Sequence, residues 1–200
     1  MKIAVLGSGS WGTTLANHLC KKAYSVVLYA RDAAVCSSMQ NEKRARFMPD
    51  IPLCEKLCAT SNPIEAVQGA DVVVLAVPSQ SMRSLLMPLA VHIPKDAVMI
   101  NVSKGIEVGT LLRMEQVVSQ ILPEQRYATL SGPTHAEEVI REMPSVIVAS
   151  ARDRNTALFV QDLFMNEVLR VYTNPDLCGV ELGGALKNVL ALGIGILDGM

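Results

Sequence analysis

The sequence predicts an α/β fold in which a doubly wound, mostly parallel sheet is followed by the opening helix of a second, all-α unit. Three observations carry this expectation. Lys2 to Leu6 is an apolar run of strand length that breaks into Gly7-Ser8-Gly9-Ser10-Trp11-Gly12. A helical pattern from Thr13 to Ala23 and a second strand from Ser25 to Ala30 follow, all within about thirty residues. Asp71 to Val77 is an unbroken β-branched run, which suits a parallel strand buried on both faces. Further strands alternate with helices, as a doubly wound sheet requires.

Taken in order, the first segment is the most informative. On the helix, Leu15, Ala16, Leu19 and Cys20 share one face and can pack on the sheet. Gly7 turns tightly off the strand, Gly9 lets the backbone approach a pyrophosphate, and Gly12 lets the helix lie close to the sheet. The helix start then offers free N–H groups and a positive dipole end to phosphates. Strand, G-x-G-x-x-G, helix and strand together make this a dinucleotide-binding, Rossmann-type unit rather than a simple glycine turn. The second strand ends at Ala30-Arg31, and the carboxylate that usually selects NAD comes only at Asp32. A guanidinium at Arg31 suits a 2′-phosphate, so NADP is accommodated as well as NAD. The alternative is a solvated loop charge.

Ala33 to Asn41 reads as a short helix, and Glu42 to Ile51 as a polar, basic stretch running into a proline-marked loop. Leu57 to Thr60 is a short third strand, and Asn62-Pro63 starts a helical turn closed by Gly69. Pro78-Ser79 ends the buried strand, and Ser81 to Val91 is helical. Ala97 to Val102 is a strand stopping at Ser103-Lys104-Gly105, and Leu111 to Leu122 is a helix. Tyr127 to Leu130 is a strand that ends in Ser131-Gly132-Pro133-Thr134, with Thr134 and Glu137 at capping-box spacing for the next helix. Ser145 to Ala149 and Val168 to Tyr172 are the last strands, around a helix from Asn155 to Met165.

Cys178 to Met200 is a helix-length apolar stretch broken by Glu181, Lys187, Asn188 and Asp198, and these breaks argue against a membrane span. Gly183, Gly184, Ala191 and Gly195 share a helical face with Lys187, leaving bare backbone around one lysine where a ligand could approach. The same pattern would also serve a small-residue packing face with Lys187 reaching water. Lys104, a lone cation between a buried strand and a glycine, is the second candidate. Ligands of such sheets sit beyond the carboxyl ends of the strands, where Lys104 lies.

Composition bounds the rest. Of 200 residues, 50% are hydrophobic and 18% charged, which is enough for a sizeable core, and the net charge is −1 without a basic block. No nucleic-acid surface or polybasic membrane anchor is expected. The five cysteines are scattered, and Cys54 and Cys58 lack the second pair or nearby histidine of a zinc site. No metal is expected, and the thiols read as reduced, in a cytoplasmic protein whose sequence opens directly with a strand.

At this point the residues resemble the bacterial NAD(P)-dependent glycerol-3-phosphate dehydrogenases. The likeness runs through Gly7 to Thr13, Val77-Pro78-Ser79, Ser103 to Glu107, Ser131 to Thr134, Arg170 to Asp176 and Gly179 to Val189. The resemblance implies that Ser10, Trp11, Arg31, Lys104 and Ala136 contact the nucleotide, alongside the glycine loop. It implies that Lys104, Gly132 and Thr134 touch the glycerol phosphate and that Lys187 is the proton acceptor. It further implies hydride transfer between NAD(P)H and dihydroxyacetone phosphate or sn-glycerol 3-phosphate, feeding phospholipid synthesis. The phosphorylated substrate is a small molecule, and a homodimer of a full-length enzyme is compatible with it. A hydroxyacid reductase of the same superfamily, or a non-catalytic nucleotide-binding fragment, stays open beside this reading. The expected division is residues 1–174 for the dinucleotide-binding domain and 175–200 for the start of a helical substrate domain. Family members continue well past this point, so the 200-residue chain by itself is expected to turn over little substrate.

Overall fold

The computed structural model describes residues 1–199. In chain order the elements are β1 (Lys2–Leu6), α1 (Ser10–Lys21), β2 (Ser25–Tyr29), α2 (Ala33–Asn41), β3 (Arg44–Ala45), β4 (Met48–Pro52) and β5 (Cys58–Thr60). They continue with α3 (Pro63–Val67), β6 (Val72–Leu75), α4 (Met82–Leu89), β7 (Val98–Asn101), α5 (Met114–Ile121), β8 (Arg126–Ser131) and α6 (Ala136–Ile140). Last come β9 (Ser145–Ala151), α7 (Arg154–Phe164), β10 (Leu169–Asn174) and α8 (Leu177–Asp198).

The main sheet has eight strands in the order β10-β9-β8-β7-β6-β1-β2-β5. From β5 to β8 every pairing is parallel. The chain runs outward from β1 to β2 and β5, then returns to the other side of β1 with β6. The strand order therefore reverses between β1 and β6, which opens a crevice at their carboxyl ends. Alternate residues of the central strands build two separate cores. Ile3, Val5, Val72 and Val74 face one side with Leu15 and Leu19 of α1. Ala4, Leu6, Val73 and Leu75 face the other with Leu86 and Val118 of α4 and α5. That double burial is why the strand at Asp71 to Val77 shows no polar alternation.

The sheet is mostly parallel, as expected, with one exception: β8 and β9 are antiparallel, and β10 runs parallel to β9. The link between β8 and β9 holds only the five-residue α6, and the chain turns back along the same edge instead of making a full crossover. The stretch expected as a loop at 42–51 forms an antiparallel hairpin, β3–β4, because Ala45 and Met48 turn into the core beside α1. Thr134 does not cap α6. His135 takes that position, and the Glu138 carboxylate accepts its N–H at 3.2 Å. The helix expected from Leu111 begins at Met114.

The five thiols are not all reduced. Cys20 at the end of α1 and Cys54 beyond β4 are paired as a disulfide with Cα atoms 6.2 Å apart, and Cys36, Cys58 and Cys178 are free. The cause is tertiary. The hairpin folds back over α1, where Asn17 Oδ1 accepts the Cys54 N–H at 2.7 Å.

Candidate active site

The glycine loop divides its labour by geometry. Gly7 has φ +119°, and a Cβ there would strike the Ala76 carbonyl. Gly12 is buried, and its Cβ would meet the Gly7 carbonyl and Ala76. Both glycines let the turn and α1 close onto the sheet. Gly9 differs: it has an ordinary extended backbone and nothing within 4 Å of a Cβ. Its neighbourhood is open, as a ligand phosphate passing the backbone requires. The 12-residue α1 starts there with no acidic side chain in its first turn, so its N-terminal field is not neutralised.

A groove of 490 Å³ runs from this loop between β1 and β6, lined by Gly7, Ser8, Gly9, Arg31 and Pro78 among others. Arg31 is exposed at its edge. Asp32 is occupied elsewhere: it caps α2, accepting the Ala34 N–H at 2.8 Å. The guanidinium is thus the side-chain charge that the β2 end offers to the groove. Arg31→Ala is expected to weaken NADPH binding by about 1.5–3 kcal/mol, the range for a hydrogen bond to a charged group. NADH binding should barely change, and parallel fluorescence titrations with the two nucleotides check this. Equal losses for both would assign Arg31 to something other than the 2′-phosphate.

On the other side of α1 the remaining candidates meet. A cavity of 400 Å³ is lined by Ser10, Trp11, Lys104, Gly132, Thr134, Ala136 and Lys187, and by His135 and Glu137 as well. A second, 330 Å³, adjoins it and shares Lys104, Gly132 and Lys187. Ala136 is held beside α1 by Thr14, whose hydroxyl donates to its carbonyl at 3.4 Å. Gly132 sits against β9, where a Cβ would lie 3.0 Å from the Val146 carbonyl. Its own carbonyl accepts from Lys104 Nζ at 3.2 Å. The Thr134 hydroxyl, freed from capping, donates to Val146 O. Burial, and then the neighbouring Lys187 ammonium, hold Lys104 below the ordinary lysine range. Of the small-residue strip expected around Lys187, only Gly183 and Gly184 line this site, while Ala191 and Gly195 lie on the exposed far half of α8. Met200, the last residue of that stretch, lies outside the described residues.

The loop that carries Lys104 is pinned by side chains that spacing alone did not reveal. Ser103 Oγ donates to the Leu75 carbonyl at 3.1 Å and also to that of Val77. Gln80 grips the loop from both sides: its Nε2 donates to Ile106 O at 2.8 Å and its Oε1 accepts the Val108 N–H at 2.9 Å. Arg83 makes a two-pronged pair with Glu107 at 2.9 and 2.8 Å, and Thr110 adds a third bond to that carboxylate at 2.6 Å. Glu107 is consequently held at about 2, first by Arg83 and then by Thr110. A carboxyl whose folded value is depressed stabilises above its unfolded value, about 4.3, and loses that contribution as pH falls toward the folded one. The 105–112 loop should therefore open between about pH 4.3 and 2. Amide exchange at Val108 and Leu112, compared with core strands, reads this, and Glu107→Gln should show the open loop already at neutral pH. Unchanged protection in Glu107→Gln would remove the pin.

Glycine loop, groove and strand-end cavity define a dinucleotide-binding α/β unit with a lysine-lined site at its carboxyl edge. Residues 2–157 match the family model described as NAD-dependent glycerol-3-phosphate dehydrogenase N-terminus, and 176–200 match the model of its C-terminus. The chain belongs to the NAD-dependent glycerol-3-phosphate dehydrogenase family. It is 48% identical to glycerol-3-phosphate dehydrogenase [NAD(P)+] of Syntrophomonas wolfei, over 100% of this chain and 59% of the relative. It is 45% identical to the enzyme of that name from Carboxydothermus hydrogenoformans, over 100% and 60%. The chain thus spans about three fifths of the length of these relatives. Among solved structures, glycerol-3-phosphate dehydrogenase of Coxiella burnetii superposes with a TM-score of 0.92 at 30% identity, covering 99% of this chain and 61% of that one. The enzyme of Plasmodium falciparum gives 0.92 at 25% identity, covering 100% and 59%.

Proposed function

We propose that this chain is the cofactor-binding part of an NAD(P)-dependent glycerol-3-phosphate dehydrogenase. The enzyme would interconvert dihydroxyacetone phosphate and sn-glycerol 3-phosphate and supply the latter for phospholipid synthesis in the cytoplasm. The observation that carries this reading is the meeting of Lys104 and Lys187 in one cavity beside the glycine loop. The open space at Gly9 and the uncapped field of α1 fit a pyrophosphate, and Arg31 fits a 2′-phosphate. Ser10, Trp11 and Ala136 would flank the nicotinamide end. When bound, the nicotinamide supplies the hydride for C2.

The chain's own residues then handle the oxygen and the charge. In reduction Lys187 would donate its proton to the carbonyl oxygen, and in oxidation it would take one from the hydroxyl. Lys104 would stabilise charge developing on that oxygen. Gly132 lines the cavity where the glycerol phosphate would sit, and Thr134 contributes a hydroxyl at the cavity wall. Two ammonium groups together favour a small anionic ester over a neutral sugar. The net charge of −1 and the lack of a basic block offer nothing to a nucleic acid.

The proposed division is residues 1–174 and 175–200, with α8 opening a helical substrate unit. By length and composition α8 would pass for a membrane span, with 22 residues and a window of mean hydropathy 1.5. Its Glu181 is buried in ionic contacts with the sheet domain, which favours a protein cover over lipid. The exposed Val189, Leu190 and Leu192 could serve that cover or a homodimer of the longer enzyme, and sedimentation of the longer enzyme would tell them apart.

The test is NAD(P)H oxidation with dihydroxyacetone phosphate, run on this chain and on one extended to the length of its relatives. The expected result is turnover in the extended protein and little in the 200-residue chain. Preference for a 2-keto acid over dihydroxyacetone phosphate would replace this reading with a hydroxyacid reductase.

A further inference from the structure

We propose that Glu181 is a positioning residue: its carboxylate sets the rotation and depth of α8 and so delivers Lys187 to Lys104. The proposal rests on the lysine-pair site described above. Among the described residues of α8, only Leu177 and Glu181 are buried. They are four residues apart, hence on one face, and together they act as two pegs that fix the helix about its axis. Leu177 is an apolar peg in the core beside Tyr127. Glu181 is a polar one. Its Oε1 accepts from the Tyr127 hydroxyl at 2.6 Å and from the Glu115 N–H at 3.0 Å, and its Oε2 accepts from Arg113 at 2.7 Å.

Glu115 lies in the first turn of α5, so α8 supplies an acceptor that the start of α5 lacks. The carboxylate thereby ties three elements, α5, β8 and α8, at one point. One turn further, a Cβ on Gly184 would lie 2.9 Å from Ser131 Oγ and 3.6 Å from Lys104 Cγ, so the helix backbone rides on the stem of Lys104. Lys187 follows three residues later, about 9 Å along the axis from Glu181. Among the described residues of α8, those beyond Lys187 are exposed, so within this chain the two pegs carry the contacts that set its rotation.

Burial outweighs the donors in raising the Glu181 carboxyl above its ordinary range. A group kept buried against that penalty, with all its partners on other elements, does more than decorate a surface. Glutamine is nearly isosteric but brings an NH₂ group that must face at least one of three donors. The expected consequence is a loosened α8 in an otherwise folded domain.

The experiment reads Lys104 directly, without turnover. Competitive acetylation of this chain across pH, with peptide mass spectrometry, gives the apparent pKa of the Lys104 amine. Lys187→Met calibrates the method by raising that value. Glu181→Gln should also raise it, and the double variant should add little to either single one. The sign discriminates. The charged groups that line the cavity with Lys104 are Lys187 and Glu137, and removing a negative charge, as Glu181→Gln does, would by itself lower Lys104 and not raise it. Tyr127→Phe, which removes one donor and keeps the volume, should give a smaller rise and serves if Glu181→Gln does not fold. If Lys187→Met moves Lys104 while Glu181→Gln and Tyr127→Phe leave it unchanged or lower it, the positioning role is overturned and the lysine pair stands. If Lys187→Met leaves Lys104 unmoved, the pair itself fails, and the positioning role with it.

Discussion

Lys187→Met in the longer enzyme is expected to lower kcat by at least about 10²–10⁴-fold, the usual contribution of a positioned general acid–base group. The KM for NAD(P)H should stay near its original value. The structure makes this a clean substitution. Lys187 is only half-buried, and among the described residues its side chain makes no hydrogen bond or ion pair. Its loss therefore leaves no buried partner unsatisfied, and methionine keeps most of the side-chain volume. Stability should change by less than about 0.5 kcal/mol, as for surface substitutions away from special features. Methionine also removes the positive charge that helps hold Lys104 below the ordinary lysine range, but Lys104 cannot replace a proton donor at Lys187, which makes the expected loss specific. Near-normal kcat would end the proton-transfer assignment.

Gly9→Val and Gly12→Val should fail in opposite ways. At Gly9 the backbone is extended and a side chain meets open space, so the protein should fold with only the modest loss of a poor helix cap, about 1 kcal/mol. The added side chain fills the approach to the α1 amides. Losing two charge-assisted hydrogen bonds at about 1.5–3 kcal/mol each would weaken nucleotide binding by roughly 10²–10⁴-fold. At Gly12 the same side chain meets the Gly7 carbonyl and Ala76 inside the core. The result should be overpacking of about 1–3 kcal/mol or more, seen as a lowered denaturation midpoint before any binding is measured. Thermal unfolding and cofactor titration of the two variants separate these outcomes. A folded Gly9→Val protein with unchanged cofactor affinity would remove the phosphate role of the loop.

The glycine loop was legible because its chemistry is local. Three glycines at fixed spacing between an apolar run and an amphipathic helix describe a turn, an approach and a packing contact, although the surface that Gly7 and Gly12 press against, Ala76 after β6, comes from outside that unit. The same holds for the buried β6, whose β-branched run states its double burial directly. Lys104 and Lys187 were also visible as isolated cations in apolar surroundings, though nothing in their spacing, 83 positions apart, says that they share a cavity. Thr134 was misread because two adjacent residues could each start α6. A carboxylate three residues on serves either, and contact with β9 decided the matter by drawing the Thr134 hydroxyl to Val146. The pins on the Lys104 loop were hidden for a different reason. Nothing in the sequence sets Gln80 and Arg83 apart from other polar residues until the loop after β7 is folded against them.

By itself, then, the sequence determined the alternation of strands and helices, the dinucleotide-binding turn and the separate identities of the candidate residues. These depend on periodicity, backbone conformation and side-chain type, which act over a few residues. Only the tertiary structure decided that β9 runs antiparallel and presses on Gly132, and that Cys20 meets Cys54. It also decided that Glu181 caps α5 from another helix while Lys187 comes to rest beside Lys104. These follow from which surfaces pack together, and packing joins residues that no local rule relates.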